Sequence, residues 1–310
     1  MPLTSGLFYD NYWNADDILF QCWASFTENE NIESDTPWHV LCAYTRPEDV
    51  HWNKNLDIRF YSTLEKQANE GHQLNDKDLS TAQQFLRQWS NGFLDAYKEV
   101  LPSKFTYLFG SLHSALAPAV HRAFNAPTSA SSQPWLKYLI QRDTLCSVPP
   151  TVPPNLQLDT IFKQHFDVIL SSSPIPRTKQ YLQTRISAST ALYERSTRDS
   201  PPIAFCVTAP DRSLSMLWVD PCYRQRGLAI WIAENRLLGT NGMTSRELEN
   251  AHPQGGAKEE ISASLKAAGA QLMWSHADVD VKNTGSRKVC ERLGGVRGWT
   301  VVWIRVEIEV

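Results

Sequence analysis

The residues best suited to do chemistry lie in a short turn between a strand and a helix, within WVDPCYRQRGLAIWIAENRLL. An apolar strand ends at Val219, and an amphipathic helix begins beside Gly227. A turn in this position directs several backbone N–H groups toward one point, at the positive end of the helix. Gly227 allows the main chain to approach a ligand closely, and Arg224 and Arg226 add positive charge. The segment predicts a phosphate or pyrophosphate site; an ordinary solvated turn is the alternative.

Two common phosphate motifs do not describe this turn, because it has neither the Gly-Lys-Ser/Thr of a Walker loop nor a GxGxxG fingerprint. The spacing Arg224-x-x-Gly227-x-Ala229 instead resembles the Arg/Gln-x-x-Gly-x-Gly/Ala signature of the GNAT acyltransferases, which use acyl-CoA. The second landmark of that family is a strand, an Asn and a helix ending at Leu-Gly. SHADVDVKNTGSRKVCERLGG is similar to it, with Asn283 and Ser286 at the matching places.

Within this superfamily, the chain most resembles the glycine N-acyltransferases. VDPCYRQRGL is similar to their strand-to-helix segment, and WSHADVDVKN is similar to their second landmark. WHVLCAYTRPED resembles a strand and acidic turn in their N-terminal portion. The resemblance covers residues 156–310 and extends more weakly over residues 1–150.

The resemblance implies a cofactor site between two splayed strands, at about residues 213–219 and 271–279. The backbone N–H of Leu217 or Val219 would polarise the thioester carbonyl and hold the tetrahedral oxyanion. The pyrophosphate would be bound by the turn, and the other arm of acyl-CoA would lie near the last helix. The remaining cofactor-binding residues that the resemblance implies are Arg224, Gln225, Arg226, Gly227, Leu228, Ala229, Asn283 and Ser286.

The acceptor amine would attack the thioester directly, so the reaction needs a base and an acid but no enzyme nucleophile. The Tyr acid of the family falls on Cys290 here, and the Glu base of the glycine N-acyltransferases falls on Ser213. A thiol can donate a proton, although a buried Cys is more often inert. His276 is the best replacement base, because Asp278 lies two residues on along the same strand and would share its face. The alternative is a histidine that only hydrogen-bonds within the sheet.

The elements that position these residues indicate an α/β (α+β) fold. We expect a GNAT-type mixed twisted sheet flanked by helices, preceded by a smaller α/β N-terminal domain that could be a degenerate GNAT-like half. Two Pro-Pro pairs in SVPPTVPP indicate an extended link. The predicted division is therefore residues 1–146, a Pro-rich linker at 147–155, and the acyltransferase domain at 156–310. The patterns also predict helices at 16–26 and 78–101, a short helical piece at 135–141, and a hairpin over residues 203–219.

The totals exclude several other classes of protein. The 310 residues are 42% hydrophobic and carry 11 Trp, 10 Tyr and 12 Phe, which excludes general disorder. The net charge of -3 gives no clustered excess of Lys and Arg for nucleic acid. No apolar run approaches the roughly 20 residues that cross a bilayer. Six scattered cysteines without CxxC or zinc spacing indicate no metal site and reduced thiols in a cytoplasmic protein.

The sequence therefore predicts an acyl-CoA-dependent N-acyltransferase. Its co-substrate would be acetyl-CoA or another acyl-CoA, and its acceptor the amine of a small molecule or amino acid. We expect a monomer or homodimer without nucleic-acid or membrane partners. A catalytically degenerate GNAT-fold protein that binds CoA or a partner remains an alternative, as does an O-acyltransferase.

Overall fold

The computed structural model describes residues 6–7, 20–25, 37–45, 55–99, 101–141, 145, 154–173, 175–195, 200–209, 213–239 and 274–310. The chain divides into two compact units of mixed α/β structure. Unit 1 comprises Met1–Trp135 together with Trp299–Val310, and unit 2 comprises Leu136–Gly298.

The described strands are, in chain order, β1 (Gly6–Leu7), β2 (Phe20–Ala24), β3 (His39–Thr45), β4 (Asn55–Ser62), β5 (Lys104–His113), β6 (Trp135–Gln141), β7 (Leu156–Asp159), β8 (Ser189–Glu194), β9 (Ala204–Thr208), β10 (Leu214–Val219), β11 (Trp274–Asp280) and β12 (Val296–Glu309). The described α-helices are α1 (Leu64–Asn69), α2 (Asp76–Tyr97), α3 (Ala117–Phe124), α4 (Phe166–Ser171), α5 (Lys179–Thr184), α6 (Leu228–Gly239) and α7 (Thr284–Arg292).

Unit 1 is a sheet in the order β1-β2-β3-β4-β5-β12, in which β4 and β5 run parallel and the other neighbours antiparallel. The helix α2 begins at a capping box, where the Asn75 side chain accepts from the N–H of Asp78. Its apolar residues recur at helical spacing and are buried. Each large side chain buried in this way contributes roughly 1.5–3 kcal/mol. The buried residues of α2 include Leu79, Phe85, Leu86, Trp89 and Phe93.

Unit 2 contains an antiparallel sheet in the order β10-β9-β8-β7. Successive side chains of a strand point to opposite faces, so this sheet carries two separate cores. On one face, residues such as Phe205 and Val207 pack with α4 and α5. On the other, Ala204 and Cys206 pack with α6. The strands β6 and β11 are neighbours in the same unit, and α7 follows β11.

Several predicted elements are confirmed and two are wrong. The hairpin is present as the antiparallel pair β9–β10, and α2 fills most of the helix predicted at 78–101. Residues 20–24 form a strand rather than part of a helix, because β2 pairs along β3. Residues 135–141 also form a strand, β6, in which Leu136, Tyr138 and Ile140 are buried. Lys137 is buried between Leu136 and Tyr138, so burial does not alternate along β6. A short apolar run of this kind does not distinguish a strand from a helix by its sequence.

The boundary between the two compact units differs from the domain boundary predicted from the sequence. Their boundary lies at Trp135/Leu136, and the last strand belongs mostly to unit 1. The reason is that β12 pairs antiparallel with β5 from Val301 to Glu309, a contact between distant parts of the chain. Most of the predicted linker at 147–155 lies outside the described residues, as do residues 240–273, which include the predicted start of β11. The linker stays a prediction.

Candidate active site

The first feature of the site is the edge of β10 that faces away from β9. The N–H of Asp220 donates to the carbonyl of Ile203, at 2.8 Å. Because the main-chain groups of an antiparallel strand alternate between its two edges, the N–H and C=O of Val219 and Leu217 point to the opposite edge. Arg224 Nε confirms this direction, since it donates to the Val219 carbonyl at 3.0 Å. The two residues predicted to hold the thioester therefore present their main chain at the edge away from β9.

The second feature is the separation of β10 from β11. The two strands meet at one isolated parallel bridge between Ser213 and His276. Among the described residues, no ladder continues from this bridge, and β10 and β11 are edge strands of their respective sheets. One bridge without a continuing ladder fits the splayed strands that the resemblance implies. Such a separation leaves the outer edge of β10 available to another extended group.

The third feature is the turn between β10 and α6. The Asp220 side chain accepts from the N–H of Cys222 and begins a 3-10 turn at Pro221–Tyr223. Gln225 and Gly227 then take left-handed conformations, with φ of 63° and 79°. A Cβ added at Gly227 would have nothing within 4 Å, so the space beside it is open to solvent. Within the described part of the chain, none of the following backbone N–H groups has an acceptor: Gln225, Arg226, Gly227, Leu228 and Ala229.

Side chains of the turn hold its shape. The guanidinium of Arg226 lies 5.2 Å from the centre of the Tyr223 ring and donates to the Cys222 carbonyl at 3.1 Å. The Tyr223 hydroxyl donates to the Glu194 carboxylate at the end of β8. These contacts fix the turn, and its N–H groups keep no acceptor among the described residues, an arrangement that favours anion binding.

The predicted pair Asn283 and Ser286 lies at the start of α7. Asn283 is the N-cap, and its side-chain oxygen accepts from the N–H of Ser286 at 3.0 Å. This cap is a structural reason for an Asn at this position. Asn283 is an exposed residue, and its contact with acyl-CoA stays a prediction.

A lysine that the sequence reading missed joins the two predicted catalytic residues. Lys137 Nζ lies 3.2 Å from His276 Nδ1 and 3.0 Å from Asp278 Oδ1. The side chains of Lys137 and Asp278 are only 8% and 12% exposed. His276 and Asp278 therefore do share a face, and that face carries a buried cation. Lys137 was missed because residues 135–141 were taken for a helix, and the apolar residues of WLKYLIQ do not alternate in a way that would have identified a strand.

Cys290 has the surroundings of a packing residue. It is 4% exposed and lies in a cluster with Tyr138, Ala277 and Val279. Burial, helped by the nearby charge of Glu291, raises the pKa of its thiol to about 12. A thiol with that pKa gives up its proton less readily than an ordinary one, so Cys290 is poorly suited to act as the acid.

Within the described ranges, no helix is long and apolar enough to cross a bilayer. The same residues include no group of three or more His, Cys, Asp or Glu side chains placed to hold a metal ion.

Comparison with known proteins gives structural neighbours only. No family model and no curated protein matches the sequence. A solved Drosophila protein is similar at a TM-score of 0.51 and 15% identity, over 93% of this chain and 79% of its own; its description names no activity. That likeness shows a shared fold.

GNAT proteins also occur among the neighbours. A GCN5-related N-acetyltransferase from Sphaerobacter thermophilus is similar at a TM-score of 0.42 and 14% identity, over 88% of this chain and 81% of its own. A tandem GNAT protein of the clavulanic acid biosynthesis pathway gives 0.42 and 10%, over 95% and 84%. These scores are too low to carry an argument about the site, and nothing in the comparisons supports a special closeness to the glycine N-acyltransferases.

Proposed function

We propose that unit 2 is an acyl-CoA-dependent N-acyltransferase of the GNAT type, which moves an acetyl or longer acyl group to the amine of a small molecule. The proposal rests on one observation: backbone N–H donors follow one another along a single path, from the edge of β10 into the turn before α6. The outer edge of β10 offers the N–H groups of Leu217 and Val219, and the turn that follows offers those before and at the start of α6. An extended thioester arm attached to a pyrophosphate requires this order of donors.

In the proposed reaction, the chain supplies position and charge stabilisation. The N–H of Leu217 or Val219 donates to the thioester oxygen, and the hydrogen bond strengthens as negative charge develops there. The acceptor nitrogen attacks the carbonyl carbon, the carbon–sulfur bond then breaks, and the nitrogen loses a proton while the sulfur gains one. His276, one of the predicted catalytic residues, lies at the point where β10 and β11 meet.

Titration calorimetry with CoA and a short series of acyl-CoAs tests the cofactor site. We expect wild-type affinity in the micromolar range and at least about a hundredfold loss in Gly227→Asp, because the new carboxylate would repel the pyrophosphate from the turn. A wild-type protein that binds no acyl-CoA, or a Gly227→Asp variant that retains full affinity, would overturn the assignment.

Two control variants separate charge from backbone strain. Gly227→Ala imposes the same strain at positive φ without the charge, and we expect it to lose much less affinity than Gly227→Asp. Gly71→Asp places the same carboxylate at another exposed glycine of positive φ, with open space around it, in unit 1. It should bind acyl-CoA as the wild type does.

A CoA-binding protein without catalysis is favoured by one observation: Ser213 and Cys290 stand where a base and an acid are expected, and the Cys290 thiol has a pKa of about 12. Assay of a panel of amines and alcohols with the best-bound acyl-CoA distinguishes the possibilities. Amide formation would exclude a CoA-binding protein without catalysis, and ester formation would indicate an O-acyltransferase. The cytoplasmic location and the oligomeric state stay predictions.

A further inference from the structure

The contact between Lys137 and His276 constrains the protonation of the imidazole ring. An ammonium group has three N–H donors and no acceptor. Asp278 Oδ1, at 3.0 Å, accepts from this ammonium and balances its charge. His276 Nδ1, at 3.2 Å from the same ammonium, must therefore be the acceptor of that hydrogen bond.

A neutral imidazole that accepts at Nδ1 carries its proton on Nε2. His276 is then a donor at Nε2, whichever group that nitrogen meets. A histidine in this form is suited to donate toward developing negative charge and unsuited to remove a proton from an amine. This reverses the role of base that the sequence suggested for His276.

We propose that Lys137 is a positioning residue that fixes His276 as the Nε2–H tautomer, so that His276 serves the site as a hydrogen-bond donor. Asp278 acts through Lys137: its carboxylate holds the ammonium in place. The kinetic consequence rests on the proposed function, since only an acyl transfer would supply the thioester oxygen or departing sulfur that the donor stabilises. The tautomer itself does not rest on it.

The tautomer is measured directly by NMR. Long-range ¹H–¹⁵N spectra of the full chain labelled at histidine nitrogens show which ring nitrogen carries the proton, and His276→Gln identifies the signals of residue 276. We expect a neutral ring with Nε2 protonated at neutral pH. A ring protonated at Nδ1 alone, or at both nitrogens, would overturn the proposal whatever the activity of the protein.

Lys137→Met tests whether the lysine is the cause. Methionine has similar length but no donor, so the signals should shift toward a mixture of tautomers. Lys137→Arg, which keeps charge and donors, should restore the Nε2–H form at least in part. If Lys137→Met folds and keeps the wild-type spectrum, the tautomer has another cause and the proposal is wrong. If it does not fold, the wild-type and Lys137→Arg spectra decide.

The exposed pair Lys179–Asp167 provides a matched control in the same unit. Its atoms are 2.8 Å apart, with both side chains more than half exposed. Lys179→Met removes an ammonium from a carboxylate just as Lys137→Met does, but it should leave the His276 spectrum unchanged.

Kinetics distinguishes failure of this proposal from failure of the proposed function. If acyl transfer is found, Lys137→Met should lower kcat at least about tenfold with little change in the KM for acyl-CoA. A kcat unchanged in Lys137→Met would sink the role of His276 as donor in the reaction, even with the expected spectrum. If no acyl transfer is found but the spectrum is as expected, the proposed function fails while the tautomer assignment stands.

Discussion

Two buried histidines of unit 1 and the half-buried His276 of unit 2 have different kinds of ring partners. In unit 1, His39 is 2% exposed and His113 is 5% exposed, and their ring partners are a serine hydroxyl and an asparagine amide. Burial lowers the pKa of each to about 4, so both rings are neutral at neutral pH. In unit 2, His276 lies beside the buried ammonium of Lys137. The N–H of Ala115 donates to His113 Nδ1 at 3.2 Å, so a neutral partner also places the proton of that ring. What distinguishes His276 is that its partner carries a charge.

The two units also differ in how completely their strands are covered. The aromatic core of unit 1 is closed, with Trp89 in ring contact with Phe93 and Tyr107 at 5.8 and 4.9 Å. In unit 2, β10 leaves one edge outside its sheet and ends in a turn whose N–H groups have no acceptor among the described residues. The polar groups compared in unit 1 are enclosed in the fold, whereas the outer edge of β10 and the turn after it offer hydrogen-bond donors.

The largest expected effect is on the charged pair of unit 2. Asp278→Asn leaves the Lys137 ammonium buried without its carboxylate, which should cost about 3–5 kcal/mol of stability. Hydrogen exchange of β11 and α7 peptides would measure the loss in unit 2 separately from unit 1. Asp167→Asn, in the exposed pair, should cost less than about 1 kcal/mol. Equal losses in the two variants would remove the distinction between buried and exposed charge on which the comparison depends.

Unit 1 should lose stability in mild acid because of its two buried histidines. Their folded pKa of about 4 lies below the ordinary value of 6.5, so between those values the unfolded chain binds protons that the folded chain does not. Stability is therefore complete above about pH 6.5 and falls as the pH is lowered toward 4, by on the order of 2 kcal/mol per histidine between pH 7 and pH 5.

Hydrogen exchange of β3 and β5 peptides at several pH values, corrected for intrinsic rates, measures this loss. His39→Gln should remove about half of the pH dependence, whereas His72→Gln, at an exposed histidine, should leave it intact. If the stability of unit 1 does not change between pH 7 and pH 5, the two histidine rings are not both buried in the neutral form.

A smaller effect is expected when a neutral polar contact of unit 1 is broken. The Ser62 hydroxyl lies 2.9 Å from His39 Nδ1 and accepts from the N–H of Leu64 at 3.1 Å. Ser62→Ala removes both contacts and should cost about 1–3 kcal/mol, less than Asp278→Asn, because no charge is left unpaired. Urea unfolding of the two variants side by side gives the order; the reverse order would break the comparison.

The smallest effect is expected at Cys290. Because its thiol is buried and has a pKa of about 12, Cys290→Ala should change the rate of acyl transfer less than about twofold, with a stability loss of about 1 kcal/mol. Steady-state rates over a range of pH provide the test. If kcat falls strongly in Cys290→Ala and recovers in Cys290→Ser, Cys290 is the acid of the reaction.

Local patterns predicted much of unit 2 because its chemistry lies in short segments. The turn from Asp220 to α6, the hairpin before it and the cap at Asn283 depend on residues within a few positions of one another. Turn and capping preferences act over that range, so the sequence alone indicated the position of Gly227 and the start of the helix beside it. The cap at Asn283 was not predicted, because Asn283 was interpreted as a cofactor residue.

What only the tertiary structure decided concerns contacts between distant residues. Lys137 meets His276 and Asp278 across about 140 positions of chain, and β12 returns to pair with β5. Neither contact leaves a local trace, because strand pairing and side-chain contact across strands depend on which segments the whole fold brings together. The sequence determined that His276 and Asp278 share a face, since strand geometry requires it; which charge lies on that face, and hence where the imidazole holds its proton, was decided by the tertiary structure.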